Sequence, residues 1–133
     1  MARADRVPLL PGQPPFAFVR AMLNEAVDVV LVVDTGAVRT LISRGVAALL
    51  GLDLARPLRF RSLSGVGRSP PVPVVRLNRL RVGGSAVADL EIVVYDLPAT
   101  LRVDGVLGLD FLRRFRVTFA FDIGELVLRQ PGP

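Results

Sequence analysis

The feature that most constrains this chain is the shortness of its apolar runs. Stretches such as Val29-Val30-Leu31-Val32-Val33 are long enough for a strand and too short for a long helix, and 12 Gly and 11 Pro break the sequence between them. Half of the residues are hydrophobic and 22% are charged, so the chain can fill a core and is not a disordered segment. A single domain of 133 residues, mostly β with tight turns, is the expected outcome.

The hydrophobic pattern divides the chain as follows. Residues 1–15 carry Pro8, Pro11, Pro14 and Pro15 and read as a proline-rich N-terminal arm, with a single domain over 16–133. Strands are expected at 16–23 and 27–33, joined by an Asn24-Glu25 turn. The second is apolar on both faces after Asp28 and should run through the middle of the domain. It ends at Asp34-Thr35-Gly36, a turn of short polar residues and a glycine. A short strand at 40–42 leads to Ser43, an N-cap for a brief helix over 44–50 with Gly51 as its stop. Strands follow at 58–63 and 72–77 around a glycine-rich tip, then a hairpin of 80–82 and 87–94 across Gly83-Gly84. A loop over 96–104, a short helical segment at 109–114 and a closing hairpin of 117–121 and 126–129 complete the pattern.

The missing residue types narrow the chemistry. With no Cys and no His there is no thiolate nucleophile, no Ser-His pair and no His- or Cys-ligated metal, so no metal or cofactor is expected. Acid–base work would fall to carboxylates. All 17 basic residues are Arg, and the net charge is +5. They are spread from Arg3 to Arg129 in short clusters with little aromatic interleaving, which fits a solvated Arg-rich surface better than a nucleic-acid partner. No segment has the roughly 18 apolar residues of a membrane span. No apolar stretch near the N-terminus is long enough for a secretory signal, so a cytoplasmic location is the simplest expectation. The soluble part of a membrane-anchored parent would look the same.

Asp34-Thr35-Gly36 alone is a weak signal, since an Asp-capped turn at a strand end has the same composition. Its context is stronger. An apolar strand precedes it and Ala37 follows it. Further on stands Asp104-Gly105-Val106-Leu107-Gly108-Leu109-Asp110-Phe111-Leu112, and a glycine-tipped hairpin lies between the two. These elements in this order resemble the retropepsin family of aspartic proteases, most of all its cellular and bacterial single-domain members.

The resemblance runs from about Phe16 to Arg129. It implies an all-β, closed, barrel-like fold with one or two short helices that works as a homodimer on a peptide or protein substrate. Asp34 would be the catalytic carboxylate. The chain has one Asp-Thr-Gly, so a second copy would supply the other carboxylate. Two carboxylates that close share a proton and titrate as a unit. Thr35 would hydrogen-bond across the twofold axis, and Gly36 would permit a backbone conformation and close approach. Ala37 stands where two-lobed relatives carry a hydroxyl that favours the ionised dyad, which implies a mildly acidic pH optimum. Ser64, Gly65, Val66 and Gly67 would form the flap over a bound peptide. Leu41, Val106, Leu107 and Gly108 would line the substrate pocket beneath it. Viral relatives place an Asp–Arg ion pair where this chain has Val38 and Leu109, so both charges are absent together and neither is left buried alone. The resemblance also implies that the termini, including 126–129, supply interface strands, and Asp110 is a candidate partner for the Thr40 hydroxyl. The competing reading is a catalytically silent dimerisation or peptide-binding module of the same fold. Against it, a decayed site has no reason to keep a like-charge pair.

Overall fold

A computed structural model of the chain describes residues 3–12, 16–63 and 70–132. The described residues form ten strands and two short helices: β1 (Ala4–Pro8), β2 (Phe18–Leu23), β3 (Val27–Val33), β4 (Leu41–Ile42), α1 (Arg44–Leu49), β5 (Arg59–Arg61), β6 (Val72–Val82), β7 (Ser85–Val94), β8 (Gly105–Leu107), α2 (Leu109–Leu112), β9 (Arg116–Ala120) and β10 (Glu125–Arg129). Seven strands lie in the order β2-β3-β8-β4-β7-β6-β5, and a further β2–β6 pairing closes the first six into a barrel. The other three form a separate sheet, β1-β10-β9.

The barrel closes where the β2–β3 hairpin meets β6. Ala26 N donates to Leu23 O at 2.9 Å, and both Asn24 and Glu25 take a φ of 52°. Such turns match the right-handed twist of the flanking strands. A left-handed Glu costs about 1 kcal/mol, and here the strained residue is gripped from outside. Its carboxylate accepts from Arg81 Nε at 2.8 Å and Arg79 Nε at 3.2 Å, both on β6. Beside it, Asn24 N donates to Arg79 O at 2.8 Å and Arg79 N donates to Asn24 Oδ1 at 3.0 Å. Backbone and side-chain bonds thus weld the turn to β6, next to the Leu23–Leu80 pair that seals the barrel.

The barrel interior is aliphatic. Val19, Leu23, Leu31, Ile42, Leu77, Leu80, Ile92 and Leu107 are fully enclosed, with Phe111 from α2 and Leu126 and Leu128 from β10 joining the same cluster. At about 25 cal/mol per Å² of buried apolar surface this cluster is the main stabilising term. The start of α1 is fixed by Ser43, whose Oγ accepts from Val46 N at 3.1 Å, and its end by Gly51 at φ +71°.

The part of the fold that matters for the site is the crossing of three short segments. β8 lies between β3 and β4, parallel to the first and antiparallel to the second. The chain leaves β3, makes the 34–40 loop and returns as β4 on the far side of β8. This threading is possible only because Gly105 and Gly108, at the start of β8 and just past its end, carry no side chains. A Cβ on Gly105 would sit 1.9 Å from Leu41 O, and one on Gly108 would sit 2.7 Å from Arg39 C. Thr40, with no exposed surface, ties the crossing together. Its hydroxyl donates to Asp110 Oδ1 at 2.7 Å and accepts from Gly108 N at 3.1 Å, while its own N–H donates to Asp110 Oδ2 at 2.8 Å.

Several expectations change. Residues 1–15 are not wholly an arm: β1 pairs with β10 over five residues, Val7 is buried, and Asp5 accepts from Gly84 N at 2.8 Å and Ser85 Oγ at 2.6 Å. One apolar side chain and one well-bonded carboxylate suffice to hold a strand whose composition reads as linker. The two strands expected at 72–77 and 80–82 are one 11-residue strand, β6. Its buried positions change phase between Leu77 and Leu80, while Asp89 opposite them takes φ +56°. The pleat kinks without breaking the β6–β7 ladder. α2 stops at Leu112, and the strands expected from 16 and from 40 start at Phe18 and Leu41, as β2 and β4.

Two outcomes follow from this architecture. Thr40→Val keeps the shape but leaves Asp110 and Gly108 N short of partners, so it should lower unfolding stability by about 1–3 kcal/mol in denaturant titration, with Thr40→Ser close to wild type. The guanidinium of Arg81, with a weaker contribution from that of Arg79, holds the Glu25 carboxyl below its ordinary value of 4.5 despite the opposing effect of desolvation. A carboxyl with a depressed folded value stabilises above its unfolded value and loses that contribution as pH falls through the folded one. Glu25→Gln should therefore lower the melting temperature at pH 7, and the gap to wild type should close as the pH drops below 4.5.

Candidate active site

Asp34 is the first residue past β3. The strand itself runs between β2 and β8, so the backbone that delivers the carboxylate is held on both sides. Val33 N donates to Ala17 O at 2.9 Å and Asp34 N donates to Leu107 O at 3.0 Å. Beyond the strand the loop turns at once: Ala37 N donates to Asp34 O at 3.2 Å and Gly36 N donates to Asp34 Oδ1 at 2.8 Å. A Cβ on Gly36 would lie 3.1 Å from that oxygen, a tight contact that would press on the carboxylate the Gly36 N–H holds. The expected unusual backbone angle is not there, since the φ of Gly36 lies outside the left-handed region.

The far end of the loop is anchored more firmly. Leu109 N donates to Ala37 O at 2.8 Å and Asp110 N donates to Val38 O at 3.2 Å, so the start of α2 continues the loop's own hydrogen bonding. Together with Thr40–Asp110 these bonds fix the loop at both ends and leave its tip, Asp34-Thr35-Gly36, exposed. The carboxylate therefore has one oxygen satisfied by a backbone N–H. The other meets no donor among the described residues. Ala37 is half-buried and offers no side-chain donor.

The exposed tip opens onto a groove of about 350 Å³. Phe16, Val33, Asp34, Thr35, Phe119 and Phe121 line it. Phe119 and Phe121 stack at 5.5 Å and 15°, and Phe16 sits 6.3 Å from Phe18. None of these aromatic residues was singled out by the sequence reading. The signal was present as a Phe-Ala-Phe triplet at 16–18 and again at 119–121 in a chain with only 7 Phe. A larger cleft of about 430 Å³ lies elsewhere, between β7 and α2, with walls that include Arg39, Glu91, Asp110 and Arg113. Asp34 is not part of it, and Asp110 there is already occupied by Thr40. We take the groove at Asp34 as the site because chemistry needs an accessible carboxylate rather than the largest volume.

The expected pocket residues divide. Leu41 and Val106 face each other across the β4–β8 ladder and belong to a second apolar cluster with Val72, Val74 and Val93, bordered by Leu63 and Leu97. Val72 and Val74 pair with Arg61 and Arg59, so this cluster stands beside the β5–β6 ladder. Leu107 instead is fully enclosed in the barrel core, and Gly108 is buried against the backbone of Ala37 and Arg39. Neither can touch a substrate, because alternation along β8 turns Leu107 inward when Val106 faces out. Ser64, Gly65, Val66 and Gly67 lie outside the described residues. Val38 and Leu109 are exposed and half-buried respectively. Among the described residues no group of acidic side chains is arranged to hold a metal ion, and no helix is long and apolar enough to cross a membrane.

Comparison with known proteins agrees with this geometry. Residues 19–111 match the family model described as aspartyl protease. Among solved structures, a retropepsin-like aspartic protease from Rickettsia conorii aligns over 98% of this chain and 94% of its own, with a TM-score of 0.76 and 20% identity. The retroviral protease-like domain of Ddi1 from Leishmania major aligns over 90% of this chain and 94% of its own, with a TM-score of 0.62 and 18% identity. No curated protein matches the chain. A closed six-stranded barrel whose inner strand delivers Asp-Thr-Gly to an open groove, on a sequence matched over 19–111, makes this chain a member of the aspartyl protease family with the retropepsin-like fold.

Proposed function

We propose that this protein is an aspartic endopeptidase that cuts extended polypeptides with a pair of Asp34 carboxylates, one from each protomer of a homodimer. The observation that carries the proposal is the state of the Asp-Thr-Gly tip. One carboxylate oxygen is fixed by Gly36 N at 2.8 Å, the other is open to the groove, and the whole tip is exposed although its supporting loop is tied at both ends. A lone carboxylate on a rigid support is half of a general acid–base pair. A twofold axis through the tip completes it.

In such a pair the two carboxylates hold one proton between them, because two negative charges at that distance are too costly. The ionised member takes a proton from a water molecule as its oxygen attacks the scissile carbonyl carbon. The protonated member gives its proton to the carbonyl oxygen, forming a neutral gem-diol. Collapse of that diol breaks the C–N bond, with a proton passed to the leaving nitrogen. Neither a metal nor a covalent intermediate is required. The Thr35 hydroxyl has no partner among the described residues of its own chain, as a residue that bonds across the axis would. Leu41 and Val106 offer an aliphatic wall for a substrate side chain, with the peptide bound as an added strand.

Two measurements test the proposal. With a denatured protein mixture as substrate, Asp34→Asn should cut at least about a hundredfold more slowly than wild type, the scale of a lost acid–base group. Equal background in both proteins would instead indicate a silent binding module. In the same assay the pH–rate profile of the wild type should peak at mildly acidic pH, because Ala37 donates no hydrogen bond to the ionised dyad, and Ala37→Ser should move the acidic limb to lower pH. A wild-type peak at strongly acidic pH would contradict this role for Ala37.

A further inference from the structure

The sheet that carries the aliphatic wall changes character one step beyond it. Residues two apart on a strand share a face. On β7, Val93 belongs to the apolar cluster with Leu41 and Val74, so Glu91 lies on the same face. On β6 the same step leads from Val74 to Arg76. The register agrees, with Val74 opposite Val93 and Arg76 opposite Glu91. On the other side Leu41 pairs with Val93, and Arg39, two residues before Leu41, reaches Glu91. One row is therefore Leu41, Val93 and Val74. The next, about 7 Å along the strands, is Arg39, Glu91 and Arg76. From β5, Arg59 stands opposite Val74 and its guanidinium also reaches Glu91.

Three guanidiniums thus surround one carboxylate. Arg59 hydrogen-bonds Glu91 Oε1. Arg39 Nη1 donates to Glu91 O at 3.1 Å and stands 3.9 Å from Oε1. Arg76 is exposed and makes no hydrogen bond or ion pair among the described residues. The Arg59 guanidinium, with weaker contributions from Arg39 and Arg76, holds the Glu91 carboxyl below its ordinary value despite desolvation. One negative charge cannot neutralise three positive ones, and the row stays open to solvent, with the Arg59 side chain 41% exposed. Glu91 also fixes Arg39 and Arg59 before any ligand arrives, so little of their rotamer freedom is left to lose on binding. Beyond the row the excess ends. In the cleft between β7 and α2, Arg39, Arg113 and Arg114 meet Asp89, Glu91 and Asp110 in equal number.

We infer that Arg39, Arg59 and Arg76 form a subsite for an acidic side chain beside the aliphatic wall. The substrates of this chain are then polypeptides with a glutamate or aspartate two residues from an aliphatic residue seated on Leu41 and Val106. The inference rests on the proteolytic reading above and adds a substrate class to it. Side chains on one side of an extended peptide recur every two residues, about 7 Å, which matches the distance between the two rows. A carboxylate placed over the second row accepts charge-assisted hydrogen bonds from guanidiniums already in position, and Arg76 has all its donors to give. A lysine placed there meets like charge. Glu91 positions the arginines and does not touch the substrate.

Cleavage sites in a denatured protein mixture, read by mass spectrometry, should show glutamate or aspartate enriched two positions from an aliphatic residue. A fluorescent peptide from the best such site is then compared with twins carrying glutamine or lysine in place of the acid. The kcat/KM should favour the acidic peptide over the glutamine twin about tenfold, the scale of one hydrogen bond to a charged group. The ratio should shrink as salt is raised. In Arg59→Gln/Arg76→Gln it should fall to about one. Arg76→Glu should move the preference towards the lysine twin, a gain that a damaged fold cannot give. A cleavage profile without acidic enrichment, or a ratio that neither variant changes, would overturn the inference while Asp34-dependent cleavage keeps the protease reading. If wild type and Asp34→Asn instead show the same background, the protease reading fails. The subsite is then tested by fluorescence anisotropy, with a labelled extended peptide carrying leucine and glutamate two positions apart and its glutamine twin. Tighter binding of the acidic peptide, lost in Arg59→Gln/Arg76→Gln, leaves the subsite standing, and equal binding of the two removes it.

Discussion

Asp110 accepts three hydrogen bonds, from the Thr40 hydroxyl at 2.7 Å, Thr40 N at 2.8 Å and Phe111 N at 2.9 Å. With Gly108 N donating to the same Thr40 hydroxyl, one buried threonine and one carboxylate join β8, α2 and the 34–40 loop at a point where no side chain fits between backbones. The net worth of such bonds is modest, about 1 kcal/mol each, but the loss of one partner strands the others in a dry interior. The arrangement of the Asp34 turn depends on this point. Without it the far end of the loop after β3 would be held only by the bonds from Leu109 N to Ala37 O and from Asp110 N to Val38 O.

The consequence is a rigid support with an open end. The barrel and the Thr40–Asp110 tie fix the backbone on either side of Asp34-Thr35-Gly36, while the tip itself has few bonds and full access to solvent. A scaffold that spends its order on the flanks and leaves the chemical groups unpaired is what a shared site requires. In the proposed homodimer the second carboxylate, and any partner for Thr35, would come from the other copy.

Much of this was legible in the residues, and the exceptions have physical causes. β3 falls where its apolar run predicts, Asn24-Glu25 turns where two polar residues interrupt the pattern, and Ser43 and Gly51 bound α1 as cap and stop. The Asp110–Thr40 bond could be guessed because a carboxylate and a hydroxyl flank a glycine contact. What could not be read depends on long-range pairing. β1 has a single buried side chain, Val7, and is held by Asp5 bonding to a turn some eighty positions away, at Gly84. β6 looks like two strands because its inward face changes phase at Asn78-Arg79, a change its partner β7 absorbs at Asp89. The family resemblance implies a pocket wall of Val106, Leu107 and Gly108 together, but neighbours on a strand face opposite ways, and Leu107 turns into the core. The aromatic lining of the groove comes from two segments about a hundred residues apart, which only the three-dimensional fold brings together.

The central claim is that one working site is made from two chains. A peptide carrying a non-hydrolysable hydroxyl-bearing tetrahedral carbon in place of the scissile carbonyl mimics the gem-diol, so it should bind the completed carboxylate pair far more tightly than the matching substrate. Calorimetric titration of the protein with that peptide counts the sites. The account predicts one peptide bound per two chains, with binding lost when Asp34 is replaced by asparagine. One peptide bound per chain, or binding that persists in the asparagine variant, would contradict it.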